Sequence, residues 1–278
     1  MTVPQRIRDL QDVPRPIVAA ASDYPADHKI APHSHPRSQL IYAERGVMTV
    51  TTGIGVWVIP PQRAVWVPAG MEHRVGAAGP IRMRSLFVAA GAKAGLPAEC
   101  CVVTVSPLLR ELILRAVEIP PLYDLDGPDG RLMDVILDQL QRLPVTPLHL
   151  PMAVDARLGR ITTALRVEPG INRTLAEWSN EAGASSRTLS RLFVKETGMT
   201  FGAWRQQARL LKALEMLAGG HGVTAAALDL GYQSPSAFVA MFRRALGVSP
   251  GRYFARQEGQ SGPPLLRSGS GRAGGAPS

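Results

Sequence analysis

The sequence predicts an α+β chain of two domains: an N-terminal β-barrel or sandwich followed by a helical pair, then a C-terminal all-α unit. Three observations carry this reading. Short alternating runs rich in Val, Ile, Pro and Gly fill residues 15–105, separated by turn residues, as strands are. From residue 106 onward apolar residues recur at helical spacing. The charge is divided in the same way: residues 1–155 carry 15 Lys+Arg against 15 Asp+Glu, and residues 156–256 carry 14 against 6.

The chain has 278 residues and a formal charge of +9, and 45% of it is apolar, enough for packed cores. Cys100 and Cys101 are sequence neighbours and poorly placed to bridge each other, which excludes a disulfide scaffold. No apolar run reaches the ~18 residues of a membrane helix. The start, MTVPQRIRDL, lacks an apolar signal core. These features predict a soluble, cytoplasmic protein without a membrane partner. A neutral first half joined to a basic second half predicts two jobs, the second involving a polyanion.

Residues 1–15 are polar and predict a poorly ordered start. The runs SQLIYAE, GVMTVTT, GVWVIP, AVWVP and IRMRSLFV predict strands within 15–105. SPLLRELILRAVE then places Leu108, Leu109, Leu112 and Ile113 on one helical face. RLMDVILDQLQRL does the same for Leu132, Val135, Ile136 and Leu140. This pair, 106–142, either packs on its own barrel or forms a homodimer interface. Residues 143–154 contain three prolines, which excludes helix interior, and are expected to be linker. Residues 155–257 read as helices with short turns. The tail, 258–278, is Gly, Ser, Pro and Arg, cannot bury a core and is expected to be disordered.

The basic segment repeats itself. SSRTLSRLFVKETGMTFGAW aligns with PSAFVAMFRRALGVSPGRY at an offset of 49, matching Phe193 to Phe242, Gly198 to Gly247 and Trp204 to Tyr253. A short helix ending in Gly precedes each copy, so each reads as helix, tight turn, helix. Thr174 and Glu177 form a capping box, and Gly183 ends that helix. Ser185 or Ser186 caps the next. In the second copy Gly231 stops the helix, Ser234 caps and Pro235 takes the first helical position. Leu189, Leu192 and Phe193 face inward, as do Phe238, Met241 and Phe242. Arg187, Thr188, Ser190, Arg191 and Lys195 then point outward. The joining helix, 201–218, is about 27 Å long, enough to space two recognition helices toward grooves roughly 34 Å apart.

ALDLGYQSPSAFVAMFRRALGVSPGRY carries Gly-aromatic-x-Ser, Phe, Phe-Arg-Arg, Gly-x-Ser-Pro and Tyr in order. Here the chain resembles the AraC/XylS family of bacterial transcription regulators, over Asp155 to Arg256. The resemblance implies seven helices, with Ser186–Glu196 and Ser236–Leu246 as recognition helices. It implies double-stranded promoter DNA as partner, a small-molecule effector, and RNA polymerase as a further candidate. Arg187 and Arg191 can donate paired hydrogen bonds to a guanine edge, whereas Ser236, Ala237, Val239 and Ala240 cannot. The first copy is therefore expected to read sequence. The second is expected to hold phosphates through Arg243 and Arg244 and to touch thymine methyls.

His33 and His35 lie in PHSHP, where strand alternation directs both to one face. Gln39, Gly46, Pro68, Gly70 and His73 follow. HxH-x3-[E/Q]-x6-G with PxG-x2-H resembles the two cupin motifs, which implies a cupin-like barrel with these side chains converging inside it. Gln39 stands where Glu is usual, and a neutral amide is a weaker ligand for a divalent ion. Three readings stay open: a divalent transition metal, an organic effector bound without metal, or framework residues; no cofactor is required. Tyr42, Trp57 and Trp66 are candidate pocket linings. His149 and His221 read as ordinary surface residues. The order of domains resembles the AraC family as a whole and implies a one-component sensor and regulator, not an enzyme. The alternative is a metal-dependent cupin enzyme, a dioxygenase or isomerase, with an appended nucleic-acid-binding domain.

Overall fold

The computed structural model describes residues 5–141, 143, 145–146 and 148–258. Almost all of the expected tail lies outside them. The N-terminal domain is one antiparallel sheet built around two long strands, β3 (Ser38–Thr52) and β6 (His73–Val88), paired along most of their length. Each changes neighbours midway. Residues 81–88 of β6 pair β1 (Ile17–Tyr24), and its start pairs β2 (Lys29–His33). Likewise β3 pairs β5 (Arg63–Val67) through residues 39–42 and β4 (Gly55–Ile59) through 48–52. β7 (Cys101–Thr104) extends the sheet beyond β5.

The change of neighbours falls at an irregularity between Ala43 and Val47. Gly46 sits there with φ +84°, and a Cβ on it would lie 2.4 Å from the Pro80 carbonyl oxygen. Only glycine fits both the left-handed backbone and that close approach. Along β3 the side chains alternate. Ile41 and Ala43 join one core with Val65, Val67 and Val102. Leu40 and Tyr42 join Trp66 in a second core beneath α2 (Pro107–Ala116) and α3 (Pro128–Leu140).

Several expectations need correction here. The N-terminal segment is tied down: α1 (Gln5–Asp9) and the turn after it bury Ile7 and Leu10 against Val18 and Phe87. Arg37 clasps the chain that follows, donating from Nε to Gln11 O at 3.0 Å, from Nη1 to Arg15 O at 3.0 Å, and from Nη2 to Val13 O. Leu109, Ile113 and Ala116 are the buried face of α2, and Leu108 is 56% exposed. On α3, Met133, Ile136, Leu137 and Leu140 are buried and Val135 is 43% exposed. Both helices thus pack on their own sheet, through faces that keep Leu109, Ile113, Ile136 and Leu140 of the marked ones but are rotated enough to leave Leu108 and Val135 outside.

Within 143–154 the chain is not a free connection. β8 (Val145–Thr146) pairs β7, and β9 (His149–Pro151) pairs β4. His149 is correspondingly not a plain surface residue: its ring stacks on Trp57, with centroids 4.5 Å apart. Burial lowers its pKa.

Among the described residues seven helices follow: α4 (Ala156–Val167), α5 (Leu175–Ala182), α6 (Ser186–Thr197), α7 (Phe201–Ala218), α8 (Val223–Asp229), α9 (Pro235–Leu246) and α10 (Pro250–Glu258). Their boundaries follow local chemistry. Thr174 and Glu177 close the capping box, Ser185 caps α6 and Ser234 caps α9. Gly198 and Gly247 end α6 and α9 in left-handed backbone. Leu189, Phe193, Phe238 and Phe242 are fully buried, so each helix-turn-helix unit has its own apolar anchor. Among the described residues no helix is long and apolar enough to cross a membrane.

Candidate functional site

Two surfaces carry the candidate residues. The first lies on the C-terminal helices. On α6, Ser186, Arg187, Ser190, Arg191 and Lys195 are exposed and Thr188 is half-buried. Ser185 is spent partly on the cap, its Oγ accepting from Thr188 N at 3.2 Å. Because Leu189 and Phe193 fix the inner face, the basic side chains must project from the outer one. On α9, Ser236, Ala237, Ala240, Arg243 and Arg244 are exposed and Val239 is half-buried. Ser234 accepts from Ala237 N at 3.2 Å. Ala237, Ala240 and Arg244 line an open groove of about 650 Å³ against Gly202, Ala203 and Gln206 of α7. The two helices therefore differ in character: α6 presents long cationic donors, while α9 presents small side chains with its arginines in the last turn.

The second surface is the histidine cluster. His33 ends β2 and His73 opens β6, and the two are paired just past a register shift. Their ring centroids are 4.3 Å apart, and His35 lies 5.2 Å from His73. Each Nδ1 meets a backbone carbonyl: His33 with Ala31 at 2.9 Å, His73 with Met71 at 3.0 Å, His35 with Arg37 at 2.5 Å. A carbonyl only accepts, so Nδ1 carries the proton in all three rings. The three rings offer ligand atoms within 4.8 Å of one another. His73 is 1% exposed, and its Nε2 is buried with no hydrogen-bond partner. Burial pushes the His73 pKa down to about 4 and lowers that of His33, so both rings are neutral near pH 7.

Gln39 is held differently from its neighbours. Its amide lies 3.0 Å from His35 Nε2 and 2.9 Å from Ser85 Oγ. Gln39 turns its Oε1 toward His35 Nε2 and donates from Nε2 to Ser85 Oγ. Tyr42 and Trp66 do not line this site. They sit under α2 and α3, where Trp66 Nε1 donates to Pro97 O at 2.7 Å. Trp57 is covered by His149.

The family of AraC-like ligand binding domains matches residues 15–125, and a helix-turn-helix domain family matches residues 178–256. The HTH-type transcriptional regulator NimR of Escherichia coli (strain K12) is 38% identical over 224 residues, 81% of this chain and 82% of the relative. The chain belongs to the AraC family of transcriptional regulators. As a member of that family it has an N-terminal ligand-binding domain and a C-terminal helix-turn-helix DNA-binding domain. RipA of Corynebacterium glutamicum is 31% identical over 118 residues, 42% of this chain and 34% of that protein. Among solved structures, the DNA-binding domain of AdpA in complex with a target DNA is similar at a TM-score of 0.35 and 27% identity, over 37% of this chain and 93% of that one. ToxT from Vibrio cholerae O395 is similar at a TM-score of 0.38 and 10% identity, over 88% and 99%.

Sequence reasoning missed two partners in this AraC-family chain. Arg37 ties the N-terminal segment to the histidine loop, because its own carbonyl holds His35 while its guanidinium holds residues 11–15. Trp204 Nε1 donates to Pro151 O at 2.7 Å, joining α7 to β9. Both use backbone carbonyls as acceptors, and a carbonyl has no signature in the sequence.

Proposed function

We propose that the barrel senses a small ligand through His33, His35 and His73, and that ligand occupancy modulates promoter binding by the C-terminal domain. One observation carries this reading. Three imidazoles bring ligand atoms within 4.8 Å of one another, and among the described residues the buried His73 Nε2 has no hydrogen-bond partner. A buried acceptor without a partner costs ~1–3 kcal/mol. A bound cation or donor group removes that cost.

The donor set fits a divalent transition ion. Imidazoles held through Nδ1–H to carbonyls are an arrangement metal-binding histidines commonly use. His33, His35 and His73 would hold it, and when bound it supplies a Lewis-acidic contact for an oxygen or nitrogen of the effector. A second reading, an organic effector bound without metal, is favoured by Gln39, whose Oε1 already engages His35 Nε2.

On the DNA side, Arg187 and Arg191 read base edges, while Arg243 and Arg244 hold phosphates. The exposed Leu108 and Val135 support a homodimer through α2 and α3, which presents repeated half-sites to DNA. RNA polymerase is the further partner of a promoter-bound regulator, and a promoter target places the protein in the cytoplasm. The non-enzymatic reading rests on relatives that are transcriptional regulators.

The test is metal content and ligand response of untagged protein purified without chelator, beside a His33→Ala/His73→Ala double variant. Near one equivalent of ion in the wild type, lost in the variant, supports the ion. Metal-free wild type whose regulation of its own upstream promoter is lost in the variant supports the organic effector. A double variant that regulates like the wild type overturns the sensing role.

A further inference from the structure

Arg209, in the middle of α7, is only 7% exposed. Its guanidinium is held by a carbonyl, an amide and a ring rather than by a carboxylate. Nε donates to Pro169 O at 2.9 Å, and Nη2 donates to Asn172 Oδ1 at 2.8 Å. Its charge lies 5.3 Å from the centre of the Tyr232 ring. Burying an arginine among neutral groups is costly unless its donors are satisfied. The partners explain the placement. Pro169 and Asn172 belong to the loop between α4 and α5, within the first helix-turn-helix unit. Tyr232 belongs to the turn between α8 and α9, within the second.

The same loop and turn also touch directly. Asn172 Nδ2 lies 3.4 Å from Gly231 O. A Cβ on Gly231 would fall 2.4 Å from Gly170 O, and one on Gly170 would fall 2.2 Å from Asp229 O. Two backbones cross here with no room for a side chain on either. Tyr232 is held a second time, its hydroxyl accepting from Gln206 Nε2 at 2.8 Å. The turn that aims α9 is therefore fastened to α7 and to the first unit at one junction.

We propose that Arg209 is a positioning residue that locks the second helix-turn-helix unit against the first and so sets the spacing of the DNA segments that both recognition helices reach at once. This rests on the reading that both α6 and α9 enter DNA. Arg209 touches no base. It acts through the direction of α9, because its planar fork fixes two donor directions simultaneously. A lysine ammonium keeps the charge without that fork. On a duplex each added base pair rotates one segment by about 35° relative to the other. A rigid pair of units rejects that change, and a loosened pair follows it.

The experiment uses the full chain and a duplex selected from a random pool by the wild type, beside the same duplex with one base pair inserted between the two protected segments. For the wild type the insertion is expected to weaken binding ~10-fold or more. In Arg209→Ala, Arg209→Lys and Asn172→Ala the ratio of the two affinities is expected to fall toward one. Asn172→Ala, which removes the amide without emptying the core, serves should Arg209→Ala fail to fold. If the variants bind both duplexes more weakly by the same factor and keep the wild-type ratio, Arg209 is a stability residue and the proposal is overturned. If the wild type protects a single segment, the two-helix reading fails and the proposal with it.

Discussion

Trp204 donates its indole N–H to the carbonyl oxygen of Pro151 at 2.7 Å, so the helix joining the two helix-turn-helix units is pinned to a strand of the ligand-binding domain. Thr49 Oγ1 and Glu215 Oε1, 2.8 Å apart, add a second tie between β3 and α7. Trp204→Phe keeps the buried ring and removes the donor. It is expected to lower stability by about 1–2 kcal/mol, read as a shift in the urea midpoint of the full chain. An unchanged midpoint would show that Pro151 O finds another donor.

The histidine cluster makes stability depend on pH. The folded chain holds His73 at about 4, below the ~6.5 of a free imidazole, and His33 is shifted the same way. Between those values the unfolded chain binds more protons than the folded one. Stability is then full above pH ~6.5 and falls as pH drops toward 4, by on the order of 2–3 kcal/mol for His73. Urea unfolding of chelator-treated protein at pH 7.5 and pH 5 measures this. A His73→Gln variant should flatten the profile.

DNA binding should be electrostatically heavy. Release of about six phosphate counterions gives a slope near −5 for log K against log salt. Arg191→Ala should weaken the preferred duplex by about 1–3 kcal/mol and a random duplex much less. Equal losses on both duplexes would place Arg191 on phosphates instead of bases.

Leu108 and Val135 are the exposed apolar positions of α2 and α3. A Leu108→Glu/Val135→Glu double variant should convert a dimer into a monomer by light scattering at micromolar concentration, with its unfolding midpoint little changed. A wild type that is already monomeric there would remove the homodimer.

Much of the C-terminal domain was legible because its boundaries are written in side chains. Thr174 with Glu177, and Ser234 with Pro235, mark helix starts wherever they occur. Glycines 49 residues apart mark the ends. The His33, His35 and His73 cluster was legible from the spacing of its histidines, although β2 ends at His33 and His35 lies beyond it, outside strand alternation. The facing of Tyr42 and Trp66 was not legible. β3 and β5 are buried on both faces, so period two separates the faces without saying which encloses the site. The buried face of α2 was legible in Leu109 and Ile113 but not at its edges, because Ala116, too small to stand out in the pattern, belongs to it while Leu108 does not.

The short strands β8 and β9 bear on how the molecule can be divided. They cover the outer edges of β7 and β4. A ligand-binding domain cut off before Val145 would leave both edges bare. Unpaired strand edges recruit other strands, so such a fragment should self-associate through β-sheet extension, whatever α2 and α3 do. Cutting after Pro151 keeps both edges covered. It leaves Trp204 without its acceptor, so the cost of separation moves to the DNA-binding half.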